Sequence, residues 1–214
     1  IMLSAIVVIA LNIKDMFESF GAALHHSAFQ VSSVMTTTGY ATTDFNQWPE
    51  LSRMIMLGVM CVGACAGSTG GGLKVSRLII LLKSARREFR HIAHPRTVKI
   101  ITFDGKKVSD DTVRNTFGYF FIYAMIFAAS VLVVALDNFD FTTTTTSVIA
   151  TLNNIGPGLN MVGATGNFSE FSFLSKLVLI ADMLLGRLEI FPLLFLFAPS
   201  KQKVKIFSKI RSKF

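Results

Sequence analysis

The chain has 214 residues, of which 51% are hydrophobic and only 16% are charged, and its 20 phenylalanines outnumber one tryptophan. Soluble domains carry about a quarter charged residues, so this composition excludes an ordinary soluble domain and indicates a membrane protein. The net charge is +8, but the basic runs adjoin apolar helices and lack interleaved aromatics, which argues against nucleic-acid binding. Two cysteines are too few for a disulfide framework or a zinc site.

The first elements are an apolar helix end over residues 1–13 and a helix over residues 16–35. The second segment has apolar residues at helical spacing but also carries Glu18 and two histidines, so it is too polar to span lipid alone. A re-entrant helix buried in protein meets this demand. The negative end of its dipole would then lie at Thr36 and favour a cation.

A short threonine run, TTTGY, follows this helix directly. Glycine accepts a positive φ at little cost, and we expect the β-branched threonines to hold the preceding residues extended. Such a segment can turn several carbonyls toward one axis, as in the filters that replace the water around potassium. The alternative is a simple turn, which the same residues would form in a loop of a soluble protein. The candidate filter residues are Thr36, Thr37, Thr38, Gly39 and Tyr40.

The next predicted helix starts after Pro49 and is broken at 65–72, before helicity resumes at Leu73 and continues to about Arg90. Each glycine disfavours a helix by about 1 kcal/mol relative to alanine, and a broken helix at membrane depth must face protein or a water-filled path. We expect this loop to be a gate, although glycines that merely permit close helix packing are the alternative. Its candidate residues are Gly67, Ser68, Thr69, Gly70, Gly71, Gly72 and Lys74.

Basic residues are concentrated in two segments. Residues 74–114 contain eleven basic and four acidic residues, and the last residues contain six bases from Lys201 onward. The positive-inside rule predicts that 73–114 and 199–214 are cytoplasmic. A small hairpin over 98–108 would turn at Asp104-Gly105, and it is a candidate contact for a cytoplasmic regulator. The basic tail could instead contact anionic lipid.

The same order of elements then recurs. A spanning helix over about 115–136 precedes a short helix, Thr142 to Leu152, a turn, and a last helix from about Leu174 to Phe197. This internal repeat makes the second turn a second candidate filter. Its residues are Asn153, Asn154, Ile155, Gly156 and Pro157.

Arg187 is a charge inside the last predicted helix, at a cost of about 2.5–3.5 kcal/mol. Neither Asp182 nor Glu189 lies at a spacing that would pair with it along one helix. We expect Arg187 to reach the carbonyls of the 67–72 loop and partly block the pore. The alternative is snorkelling to the inner interface.

Five stretches resemble the Trk/Ktr superfamily of potassium transporters, and within it the Trk-type membrane subunit. They are FQVSSVMTTTGYATTDFNQWP, GACAGSTGGGLKVSRLIILLK, HPR at 94–96, NNIGPG, and LLGRLEIFP near the end. The resemblance implies an all-α membrane protein with repeated helix–pore-helix–helix units in a pseudo-fourfold, potassium-channel-like pore. This chain is similar to repeats three and four, so it should not conduct alone.

The resemblance also implies a domain organisation. A third repeat over 1–94 would have a truncated first helix, 95–113 would be a cytoplasmic linker with a hairpin, 114–198 a fourth repeat, and 199–214 a basic tail. The implied function is uptake of K⁺ across a bacterial-type inner membrane, with or without a symported ion. The resemblance does not imply an enzyme. The implied partners are membrane lipid, a second copy of the subunit and a ring of nucleotide-binding regulatory subunits. A sodium-preferring transporter and a non-conducting anchor for the regulator are the alternatives.

Overall fold

The computed structural model describes residues 1–63, 71–94, 101–103 and 105–188. These residues are mostly helical. They form α1 (Met2–Asn12), α2 (Phe20–Met35), α3 (Glu50–Cys61), α4 (Val75–Ala93), α5 (Asp110–Val134), α6 (Phe141–Leu152) and α7 (Phe173–Arg187). Two short strand pairs accompany them: β1 (Val62–Gly63) with β2 (Leu73–Lys74), and β3 (Thr102–Phe103) with β4 (Lys106–Lys107).

Six of the seven described helices form two similar three-helix units, and α4 packs against α5. In the first, α1 packs on α2 and α3. In the second, α5, α6 and α7 pack on one another. The units share one core, because Ile149 and Ile155 of the second unit pack with Val31, Phe45 and Met56 of the first. The predicted recurrence of a short helix between two flanking helices is therefore present in the fold.

The two short helices, α2 and α6, start at side-chain caps. Ser19 Oγ accepts a hydrogen bond from the backbone N–H of Ala22 at 3.2 Å. Asp140 Oδ2 accepts one from the N–H of Thr143 at 3.0 Å. Such caps satisfy N–H groups that a helix start leaves without partners. The cap at Ser19 places the start of α2 at Phe20, later than the residue 16 expected from the apolar spacing.

Among the described residues, one helical segment, Asp110–Asp137, is long and apolar enough to span a membrane. It begins before the expected residue 115 and inside the expected 95–113 linker. Ser109 caps the helix, and Asp110 and Asp111 occupy its first turn, where negative charge is favoured by the dipole. The last helix, α7, is described to Arg187, so the predicted continuation to Phe197 lies outside the described residues.

The helix predicted to break at the glycines is interrupted in the described residues on both sides of that segment. The first helical part, α3, ends at Cys61, and β1 and β2 then pair in parallel, with Val62 opposite Leu73 and Gly63 opposite Lys74. Helicity resumes at Val75, two residues later than expected. The described part of the predicted hairpin is an antiparallel pair, β3 with β4, and Gly105 between them has a φ of 74°. Residues 98–100 and Asp104 lie outside the described residues.

Candidate ion-filter site

The backbone after α2 closes the helix with a compact turn. The N–H of Thr36 donates to Ser32 O at 2.9 Å, that of Thr37 to Val34 O at 3.1 Å, and that of Thr38 to Ser33 O at 2.9 Å. This is a Schellman-type closure, which requires a left-handed residue, and Thr37 supplies it with a φ of 58°. The expectation that the threonines are extended is therefore wrong for Thr37, and also for Thr36, whose φ of −85° and ψ of 0° are helical. Closing the helix end outweighs the preference of the β-branched side chain.

The turn after α6 repeats this geometry. The N–H groups of Asn153, Asn154 and Ile155 donate to Ile149, Thr151 and Ala150 at 3.0, 3.0 and 2.9 Å. Asn154 has a φ of 56°, and Gly156 has a φ of 106° where Gly39 has 80°. Asparagine tolerates the left-handed region better than a β-branched residue does. The second turn therefore has the same backbone conformation as the first, although its residues depart from the threonine pattern.

The two turns lie against each other. A β-carbon built on Gly39 would stand 2.4 Å from Ile155 O and 3.3 Å from Pro157 Cδ, and one built on Gly156 would stand 4.0 Å from the Gly39 α-carbon. Only glycine allows this approach at residue 39, because real β-carbons do not lie so close to an oxygen. The fold thus places the two predicted filter segments side by side.

Among the described residues, carbonyl groups of both turns have no hydrogen-bond donor. Within the part of the chain that the structure describes, no hydrogen bond reaches the carbonyl oxygens of residues 36–39 or 153–157. Tyr40 differs, because its carbonyl accepts a hydrogen bond from Ser33 Oγ at 2.6 Å. Unpaired carbonyls are costly unless water or a cation satisfies them. The carboxyl ends of α2 and α6 adjoin these oxygens and add the negative ends of two helix dipoles.

Side chains tether each turn to the helices beside it. After α2, Gln30 Nε2 donates to Thr43 O at 2.6 Å, and His26 Nδ1 lies 3.1 Å from Thr42 Oγ1. After α6, Tyr123 Oη donates to Asn153 Oδ1 at 3.0 Å, and Asn154 Nδ2 donates to Met183 O at 3.0 Å. The first turn is thus held by its own short helix, and the second mainly by α5 and α7.

Similarity to a known protein family identifies the family of this chain. The family model described as "TrkH: Cation transport protein" matches residues 6–206. The chain belongs to the TrkH family. Membership in a cation transport family agrees with the expectation of a transporter and not an enzyme, and the resemblance to Trk-type subunits is confirmed.

Relatives and a solved structure support the same family. The chain is 38% identical to the Trk system potassium uptake protein TrkH of Salmonella typhimurium over 198 residues, covering 92% of this chain and 41% of the relative. The Escherichia coli TrkH is 37% identical over the same shares. The crystal structure of the potassium transporter TrkH from Vibrio parahaemolyticus matches with a TM-score of 0.83 and 36% identity, covering 94% of this chain and 43% of that one. The chain therefore spans about two fifths of these relatives, and it has the all-α, pore-helix-repeat membrane fold of TrkH.

The described end of the glycine loop touches the second turn of this TrkH-family chain. A β-carbon on Gly71 would stand 2.7 Å from Asn153 O, and one on Gly72, whose φ is 77°, would stand 2.0 Å from Asn153 Oδ1. Both glycines are buried, and Lys74 is partly buried in β2. Gly67, Ser68, Thr69 and Gly70 lie outside the described residues.

Arg187 is the last residue of α7 and is exposed. The residue before it has a role that the sequence pattern did not reveal. A β-carbon on Gly186 would stand 1.9 Å from Leu152 O and 2.8 Å from Asn154 Nδ2. Gly186 therefore lets α7 pack directly on the carboxyl end of α6. Its only sequence signal was a glycine inside an apolar helix, which is ambiguous.

Proposed function

We infer that this chain contributes two of the four sides of a potassium-selective pore, and that the complete subunit takes up K⁺ across the cell membrane. The observation that carries this proposal is the pair of adjacent turns whose carbonyls have no donors in the described structure. The matched relatives are named potassium uptake proteins, which agrees with it. The side chains would have a minor role, because the coordinating dipoles belong to the backbone.

The proposed filter residues are Thr36, Thr37, Thr38 and Gly39 on one side and residues 153–157 on the other. Tyr40 is the weakest candidate, because Ser33 already donates to its carbonyl. Gly39 and Gly156 occupy equivalent positions, each with a positive φ. The two short helices would approach the pore from outside and aim their negative ends at a dehydrated cation.

We also propose the membrane orientation and partners of the complete subunit. Residues 73–114 and 199–214 would face the cytoplasm of a bacterial-type inner membrane, because basic loops stay inside. The subunit would form a homodimer and rest on a ring of nucleotide-binding regulators. The basic carboxyl half of α4, with Arg86, Arg87 and Arg90, and the β3–β4 hairpin would contact this ring. We propose the two repeats expected from the sequence, with one change of bounds: the second repeat begins at Asp110, where α5 starts.

The loop over residues 67–72 would act as the gate below the filter. Its described end, Gly71 and Gly72, packs against Asn153, so a movement of the loop would be felt at the second turn. Arg187 would bind loop carbonyls with its donor-only guanidinium group. Arg187→Ala should raise K⁺ flux or its open fraction, and Lys176→Ala, which removes a cation from the opposite end of α7, is a matched control. Unchanged flux and gating in Arg187→Ala would contradict the gate role.

The test of transport uses the full-length protein that contains this sequence. Cells that lack their own potassium uptake systems should grow at low K⁺ when they express it, and purified protein in vesicles should take up ⁸⁶Rb⁺. Preference for Na⁺ over Rb⁺ would support the sodium transporter instead. An absence of cation uptake, with the protein present in the membrane, would support the non-conducting anchor.

A further inference from the structure

Asn160 joins the two repeats just outside the filter turns. Its backbone N–H donates to Asn46 Oδ1 at 2.8 Å, and Asn46 Nδ2 donates to Asn160 O at 3.2 Å. Its side-chain Oδ1 accepts a hydrogen bond from Arg53 Nη2 at 3.0 Å. Residues 46 and 160 are 114 positions apart in the chain. Three hydrogen bonds therefore hold a loop of the second repeat on the first.

Asn160 is also fixed within its own repeat. Its Nδ2 donates to Asp140 Oδ2 at 2.9 Å, and Asp140 caps the start of α6. The preceding residue is tied to the same helix, because the N–H of Leu159 donates to Thr146 Oγ1 at 3.0 Å. The α6 helix, the second filter turn and the loop beyond it thus form a closed, bonded unit with Asn160 at its outer edge.

The surroundings of Asn160 are shaped for these contacts. Asn160 has a φ of 56°, a conformation that asparagine and glycine accept more readily than other residues. Gly163 makes room for the partner, since a β-carbon there would stand 1.9 Å from Asn46 Nδ2. Arg53 is held by a second bond, to Glu50 Oε2 at 2.9 Å. Arg53 and Asn160 are therefore each held by a further hydrogen bond within their own repeat.

We propose that Asn160 is a positioning residue that sets the spacing of the two filter turns from the outer side and thereby contributes to ion selectivity. This proposal rests on the proposed function. Asn160 lies three residues after Pro157, and Asn46 lies six residues after Tyr40. Only a short segment therefore connects each filter turn to the junction between Asn46 and Asn160. Inside it, Gly39 and Ile155 are in contact, and a shift of either turn changes the distances between the carbonyls of the two turns.

The experiment measures the K⁺/Na⁺ permeability ratio of the full-length protein in vesicles under bi-ionic conditions, together with total flux. Asn160→Gly keeps the left-handed backbone and deletes the bonds to Arg53 and Asp140. Asn46→Ala leaves Asn160 intact and deletes the bonds to its backbone. We expect each change to lower the ratio about fivefold, as lost hydrogen bonds of ordinary strength would do. The double variant should not lower it much further, because both changes break one junction.

Asn167→Ala is the matched control. Asn167 is an exposed asparagine in the same outer loop, and it accepts hydrogen bonds from Ser169 two residues away. Its ratio should equal that of the wild type. Folded Asn160→Gly or Asn46→Ala protein with an unchanged ratio would overturn the positioning role alone. A wild-type protein without cation flux would overturn the proposed function, and this inference with it.

Discussion

The α-carbon of Gly39 faces the carbonyl oxygen of Ile155, and a β-carbon at Gly39 would stand 2.4 Å from that oxygen. The contact joins the centres of two turns that follow different helices. It means that the first turn can approach the second only while residue 39 has no side chain. The proposed selectivity filter therefore depends on a contact between backbones.

Gly39→Ala should abolish most K⁺ uptake. The substitution adds left-handed strain, since φ is 80°, and forces the turns apart, which together cost about 1–3 kcal/mol. We expect ⁸⁶Rb⁺ uptake per folded protein to fall by about tenfold or more. Gly58→Ala is the matched control, because a β-carbon there meets nothing within 4 Å. Wild-type uptake by Gly39→Ala would be incompatible with the proposed filter.

Gly186→Ala should weaken the packing of α7 on α6. Its β-carbon would stand 1.9 Å from Leu152 O, a backbone atom that cannot rotate away. Overpacking of this kind costs about 1–3 kcal/mol, and the apparent melting temperature in detergent should fall. Gly118→Ala in α5 has no neighbour within 4 Å and should melt like the wild type. Equal melting of the two variants would show that the helices move apart at little cost.

Ser130→Ala should destabilise the contact between α5 and α7. Ser130 Oγ donates to Asp182 Oδ1 at 2.8 Å, and the two residues are 5% and 1% exposed. Removing the donor leaves a buried acceptor without this partner, at a cost of about 1–3 kcal/mol. The double variant Ser130→Ala, Asp182→Leu removes both polar groups and should recover part of the loss. If the single change leaves the melting temperature unchanged, another group must satisfy Asp182.

Acid should weaken the cap of α6. Burial raises the pKa of Asp140, but hydrogen bonds from Thr143 and Asn160 outweigh it and leave the pKa below its ordinary value. The ionised carboxylate therefore stabilises the fold at any pH above the ordinary pKa of an aspartate. This stabilisation is lost as the pH falls through the lower pKa of the folded state.

Asp140→Asn tests this pH dependence. Asparagine is also a good helix cap, so the variant removes the charge and keeps an acceptor for Thr143. The wild type should lose more apparent melting temperature than Asp140→Asn between neutral pH and about pH 3. Parallel loss in both proteins would mean that Asp140 does not carry this acid sensitivity.

The sequence determined the elements and their order. Hydrophobic spacing, the polar character of the short helices, the glycine-rich break and the positions of basic residues predicted a membrane protein with two helix–pore-helix–helix repeats. These signals are local, because helix periodicity, caps and glycine content act within a few residues. Their errors were local too, such as the start of α2 at Phe20, which the Ser19 cap decided.

Tertiary structure decided which residues meet. The contacts of Gly39 with Ile155, Gly186 with Leu152 and Asn46 with Asn160 join segments that no local pattern relates. It also assigned Thr37 to the left-handed region, because closing the end of α2 on Val34 and Ser33 outweighs the preference of one side chain. Contacts between distant segments depend on how whole helices pack, and no local sequence pattern specifies which residues will meet.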